Sequence, residues 1–129
     1  MAASPPAADI TFLRGGLLLI RNAHNIHVQE WARSQVVVSD LSDPTNHQTF
    51  EGVTSIIITG TGGADHIELA DDSIPCFVSA GDGNDVILVS GDAPVMVYGG
   101  NGNDTVRVGG NTFILPSRGS DRIEPPDGF

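Results

Sequence analysis

Asp65, Asp85 and Asp104 recur at intervals of 20 and 19 residues, each closing a short stretch rich in glycine and asparagine. The stretches are Gly60-Thr61-Gly62-Gly63-Ala64-Asp65, Ala80-Gly81-Asp82-Gly83-Asn84-Asp85 and Gly99-Gly100-Asn101-Gly102-Asn103-Asp104, and a fainter copy, Arg118-Gly119-Ser120-Asp121, follows 17 residues later. With the residues after each aspartate they fit, to differing degrees, the nine-residue pattern G-G-x-G-x-D-x-U-x, where U is large and apolar. Chemically, such a stretch offers one carboxylate and several backbone carbonyls. Hard oxygen donors of this kind suit a calcium ion, which takes oxygens at about 2.4 Å.

The spacing of the aspartates is about two nonapeptides, and each interval holds two short apolar runs and two turns. A unit of this size cannot bury its apolar face alone, whereas stacked copies share a continuous core. One interval is therefore read as one coil. The runs His66 to Leu69, Val86 to Val89 and Thr105 to Val108 are expected to stack as one parallel sheet, and Cys76 to Ser79, Pro94 to Tyr98 and Thr112 to Leu115 as the opposite one. Alternation along a strand puts Ile67 and Leu69, Ile87 and Val89, and Val106 and Val108 in the core, with His66, Glu68 and Arg107 outside. The fold class expected is all-β: a parallel β-roll or β-solenoid of short coils with a degenerate N-terminal β cap.

Rung spacing in such a stack is about 4.8 Å, so an ion midway between rungs reaches oxygens on both. Without it, carboxylates about 4.8 Å apart repel by roughly 1 kcal/mol in water and roughly 3.5 kcal/mol at an effective dielectric of about 20. Magnesium fits less well, because it demands near-octahedral geometry and keeps its waters.

These residues resemble the repeats-in-toxin, or hemolysin-type, calcium-binding family. The resemblance covers Gly60 to Ile123, with one complete nonapeptide beginning at Gly99, one with Ala80 in place of the first glycine, and two degraded ones. It implies calcium held between successive turns by Asp104 and Asp85, by Asp65, and most weakly by Asp121. Gly60, Gly62, Gly81, Asp82, Gly83, Gly99, Asn101 and Gly102 complete the implied metal-binding turns. It also implies a secreted or cell-surface protein. The opposite turns, around Asp71-Asp72 and Gly91-Asp92, lack the full pattern, so a single file of ions along one edge is expected, with the gap between the Asp85 and Asp104 turns the best candidate.

Sixteen acidic against six basic residues, with no lysine, give a net charge of −10 across 129 residues. Nucleic acid and anionic membrane surfaces are poor partners for such a polyanion, and cations are natural ones. No membrane span is expected, since apolar stretches such as Leu17 to Ile20 fall far short of the roughly 20 residues required. The start Met1-Ala2-Ala3-Ser4-Pro5-Pro6 lacks the basic and apolar regions of a signal peptide. The single cysteine, Cys76, reads as a small buried apolar residue.

Four segments are expected: a disordered lead over 1–8, degenerate coils or a cap over 9–59, the calcium-binding repeats over 60–124, and a tail over 125–129. Ile10 to Leu13, Leu17 to Ile20, Asn25 to Trp31, Val36 to Ser39 and Thr54 to Thr59 suit strands. Val36-Val37-Val38 and Ile56-Ile57-Ile58 read as strands buried on both faces or packed between layers. Asp43-Pro44-Thr45-Asn46 reads as the clearest loop. Asn22-Ala23-His24-Asn25-Ile26 resembles a worn turn without its aspartate, Trp31 a cap-packing residue, and His47 part of a solvated loop.

Two rival functions remain. Parallel β-helices host carbohydrate-active enzymes, for which Asp71-Asp72 with Asp92, or Glu68 with Arg107, would supply the paired groups. The chain has no H-E-x-x-H, G-x-S-x-G or P-loop sequence, and no enzyme is expected. His24 and His27, lacking a third ligand nearby, are not read as a zinc or copper site. The other rival is an ion-free structural or adhesive spacer. The protein or glycan partner of the outer faces is not legible.

Overall fold

In a computed structural model of the chain, residues 9–32, 34–40, 43–70, 73–91, 93–107, 112–115 and 122–124 are described. Thirteen strands account for the regular structure, and no helix occurs among the described residues. They are β1 (Asp9–Phe12), β2 (Leu17–Arg21), β3 (Asn25–Ala32), β4 (Gln35–Asp40), β5 (Asp43–Phe50), β6 (Ser55–Thr59), β7 (His66–Ala70), β8 (Cys76–Ser79), β9 (Val86–Ser90), β10 (Val95–Tyr98), β11 (Thr105–Arg107), β12 (Thr112–Leu115) and β13 (Arg122–Glu124).

From β6 onward the chain alternates between two sheets. One sheet has the order β1-β2-β6-β8-β10-β12 and the other β13-β11-β9-β7-β3-β4-β5. Both are mixed: β2-β6-β8-β10-β12 and β3-β7-β9-β11-β13 are parallel throughout, whereas β1, β4 and β5 add antiparallel strands at one end. Phe12 of β1 and Phe50 of β5, from the outermost strands of the two sheets, meet edge to face with ring centroids 5.7 Å apart.

Period-2 patterning explains the packing. Ile26, Ile67, Ile87 and Val106 fall in register across β3, β7, β9 and β11, and all are buried. Ile20, Ile58, Val78 and Val97 do the same across the other sheet. Both rows belong to one core cluster. Ile67, Leu69, Ile87, Val89 and Val106 are buried as their alternation requires, Cys76 is buried beside them, and Val108 lies outside the described residues.

Several N-terminal expectations need correction. The stretch Asp43 to Asn46 begins strand β5. β5 is the sheet's edge strand, and its pairing with β4 steps from Asp43 to His47 across a register shift, so Pro44 falls in an irregularity of an edge strand, where a missing N–H is tolerated. His47 accordingly sits on that strand, exposed. Val37 and Ile57 are half-buried between fully buried neighbours, because the outer faces of their strands are uncovered. Trp31 is 68% exposed and packs no cap; a register shift between Glu30 and Ala32 takes it out of the ladder with β4. Residues 1–8 and 125–129 lie outside the described residues.

Candidate metal centre

Strand register decides where the aspartates go. Asp65, Asp85 and Asp104 immediately precede β7, β9 and β11, and these strands pair with His66, Val86 and Thr105 side by side. The aspartates' backbone extends the same ladder: Val86 N donates to Asp65 O at 2.8 Å, Thr105 N to Asp85 O at 2.8 Å and Arg122 N to Asp104 O at 2.7 Å. The three carboxylates therefore line up rung on rung. Asp121, Asp71, Asp72 and Asp92 lie outside the described residues.

The column has a further member. His66 N donates to His24 O at 2.7 Å, which puts His24 at the aspartate position of the preceding rung. Its Nδ1 is 3.2 Å from Asp65 Oδ1, across a sequence separation of 41. That separation is about two periods of the repeat, the signal by which the worn turn at Asn22 to Ile26 is aligned with the others. Asn22, at φ 56°, supplies the left-handed residue there.

Side-chain bonds run up the column. Asp65 N donates to Asp85 Oδ1 at 2.8 Å, and Asp85 N to Asp104 Oδ1 at 2.9 Å. Asp85 and Asp104 thus each spend one oxygen on the amide of the rung before, whereas Asp65 Oδ1 meets the His24 ring of its preceding rung. The second oxygens differ. Asp65 Oδ2 accepts from Thr61 N at 2.7 Å, and Asp65 Oδ1 accepts from the Thr61 hydroxyl. Asp85 Oδ2 is buried with no hydrogen-bond partner, and Asp104 Oδ2 is buried too. Glycines 81 and 100 replace Thr61 in their turns and have no hydroxyl to offer.

Burial is the main reason the Asp85 carboxyl is pushed up to about 7. The Asp65 amide opposes this, and the charges of Asp65 and Asp104 on either side add to it. All three carboxylates are nearly inaccessible, at 3%, 1% and 1% exposure. A buried ionised carboxylate lacking a partner is costly, and a cation is one remedy.

Around the column the turns are tightly stacked. Gly100, at φ 86°, lies so close to Gly81 O that a β carbon there would collide with it, and Gly102, at φ 108°, lies equally close to Gly83 O. The carbonyls of Gly81 and Gly83 thus lie against Gly100 and Gly102 of the next rung, as those of Thr61 and Gly63 lie against Gly81 and Gly83. Gly60 and Gly99 face the Oδ2 atoms of Asp65 and Asp104. Gly62, by contrast, has open space around it and no positive φ. Gly63 is the residue of that turn that enters the carbonyl stack, and with Gly100, Thr61 and His24 it was missed in the sequence. Strict alignment of the three turns would have found the glycines.

Asp82 and Asn101 sit on the exposed outer rim, where Asn101 Nδ2 donates to Asp82 Oδ1 at 3.0 Å. Asn103 N donates to Asn84 Oδ1 at 2.8 Å on the same side. These rim residues tie turn to turn away from the buried carboxylates.

Among the described residues, no three His, Cys, Asp or Glu side chains converge as a metal-binding group. Zinc, which takes its ligands from side chains, is poorly served by such a site. A hard cation that completes its shell with backbone carbonyls fits better, and buried carboxylates with carbonyls stacked from rung to rung are calcium's donor types.

On the outer face, Glu68 and Arg107 lie two rungs apart with Leu88 between them. Glu68 instead contacts His27 Nδ1 at 3.1 Å and His66 Nε2 at 2.9 Å. Burial works to raise its pKa, but the two histidines outweigh it and hold the carboxyl below its ordinary value. No helix is long and apolar enough to cross a membrane among the described residues. Comparison with protein families, curated proteins and solved structures returns no match.

Proposed function

We propose that this chain is a calcium-binding β-roll module of a secreted or cell-surface protein, without catalytic activity, whose fold is tightened by calcium between Gly/Asn/Asp turns. The observation that carries the reading is the buried, unpartnered Asp85 Oδ2 within a column of aspartates whose turns stack glycine against carbonyl from rung to rung. Asp85 and Asp104 would hold the ion with carbonyls of residues such as Gly81 and Gly83. Calcium supplies positive charge that offsets carboxylate repulsion and desolvation.

If a site binds with a Kd of about 0.1 mM, calcium at about 1 mM stabilises the fold by roughly 1.4 kcal/mol per site. Such coupling leaves the chain loose at low calcium and rigid outside a cell. Isothermal calorimetry and thermal melting of the chain, with calcium and with chelator, test the reading. Saturable binding with a raised Tm supports it; identical melts overturn it.

The ion-free spacer is the second reading, and one observation favours it: Asp65 is satisfied by Thr61 without any ion. Identical melts are its expected result.

A further inference from the structure

The two sheets have unlike outer faces. Across β2, β6, β8, β10 and β12, the outward residues Leu19, Ile57, Phe77, Met96 and Phe113 stand in register as one apolar row. Met96 is 39% and Phe113 63% exposed, and the others are half-buried. The equivalent row of the other sheet reads His27, Glu68, Leu88, Arg107. A solvated sheet face ordinarily alternates to polar residues, so an apolar row here calls for a partner.

From Ile57 to Phe113 the row lines a groove of about 400 Å³, with Ser55 and Pro75 beside it. Among the described residues, none lining it is charged. Its size identifies the occupant. Four inter-strand steps of about 4.8 Å and three outward rows about 7 Å apart make a flat face of roughly 270 Å². Two copies face to face would cover about 540 Å² of such face, short of the roughly 1,200 Å² of a stable specific pair. The groove volume, in contrast, falls within the range of small-molecule sites.

Charge narrows the ligand. A chain of net charge −10 repels anions, and an uncharged groove offers no counter-ion, so a fatty-acid carboxylate is disfavoured. Met96, being unbranched and adaptable, suits a flexible chain. We infer that this groove binds the uncharged alkyl chain of a single small molecule, laid across the strands from Ile57 to Phe113 with its one polar end toward Ser55. The site is separate from the aspartate column and does not depend on calcium there.

The test uses the whole chain and dodecyl maltoside below its micellar concentration, followed by calorimetry and amide chemical shifts. Saturable binding of one molecule per chain, with the largest shifts at Phe77, Met96 and Phe113, is the expected result. Dodecanoate should bind about tenfold more weakly. Met96→Asp, and separately the more exposed Phe113→Asp, should weaken dodecyl maltoside binding at least about tenfold while circular dichroism stays unchanged. The inference is overturned by any of three results: no saturable binding, full binding retained in a folded variant, or a row that instead mediates self-association or sedimentation with neutral phospholipid vesicles.

Discussion

Asp85 accepts the Asp65 amide on Oδ1 at 2.8 Å and buries Oδ2 with no protein partner. One oxygen thus builds the stack and the other is left for a ligand. Asp85→Asn separates the two roles, since the amide oxygen still accepts from Asp65 N while the charge is gone. Relieved of a buried charge, the calcium-free variant should melt at or above the wild-type temperature. Its calcium-induced rise should shrink by about 4 °C, the equivalent of roughly 1 kcal/mol for a chain of this size. Differential scanning calorimetry with calcium and with chelator reads both changes.

The same carboxyl sets a pH dependence. Its pKa, raised to about 7 in the fold, exceeds the ordinary value of 3.8, so the folded chain holds this proton more tightly than the unfolded one. The stabilisation is fully present below about pH 4 and is lost as pH rises through about 7. With respect to this group, chelator-treated protein should lose stability between pH 5 and 8. Calcium, by favouring the ionised form, should flatten or reverse the slope. Denaturant midpoints across that range check the sign, and Asp85→Asn should remove the dependence attributable to this group.

Gly100 and Gly62 form a matched pair of substitutions. Gly100→Ala places a β carbon against Gly81 O at a φ of 86°, so it should cost about 2 kcal/mol or more and abolish the calcium response. Gly62→Ala meets open space and should change stability by no more than about 0.5 kcal/mol. Chemical denaturation of both variants settles the comparison. Similar losses at both positions would contradict the observed stacking of the turns.

The contrast between these two glycines also marks how far the sequence could be read. Recurring aspartates with apolar alternation beyond them were enough to place Asp65, Asp85 and Asp104 in one column and Ile67, Ile87 and Val106 in one core row, because both follow from period-2 geometry and a constant coil length. Gly63, not Gly62, enters the stack of turns, and spacing alone does not distinguish them because it does not say which carbonyl lies against the next rung. Pro44 reads as a loop because its tolerance depends on an edge strand and a register shift beside it, properties of strand order and pairing and not of local sequence. The worn turn at Asn22 to Ile26 is legible as a turn, but the place of His24 beside Asp65 is not, because that turn has lost both glycines and aspartate and only register brings the two side chains together. The apolar outer row from Leu19 to Phe113 was hidden for a similar reason: each strand contributes one member, and only register joins them.

Thr61 distinguishes the first turn from the two that follow. Its amide and hydroxyl both bond to Asp65, and His24 approaches the same carboxylate from the preceding rung. Protein donors therefore do for Asp65 what an ion is proposed to do for Asp85. Thr61→Val keeps the amide and the β-branched shape but removes the hydroxyl, which also accepts from Gly63 N at 3.1 Å, so it should cost about 1 kcal/mol or more. That loss should appear equally with calcium and with chelator, leaving the calcium-induced shift unchanged, because the bonds it removes are independent of the ion. Asp85→Asn should behave in the opposite way, altering the shift while sparing the calcium-free fold. Should Thr61→Val instead reduce calcium binding as Asp85→Asn does, Asp65 belongs to the metal site after all, and the column binds its ions as one cooperative file.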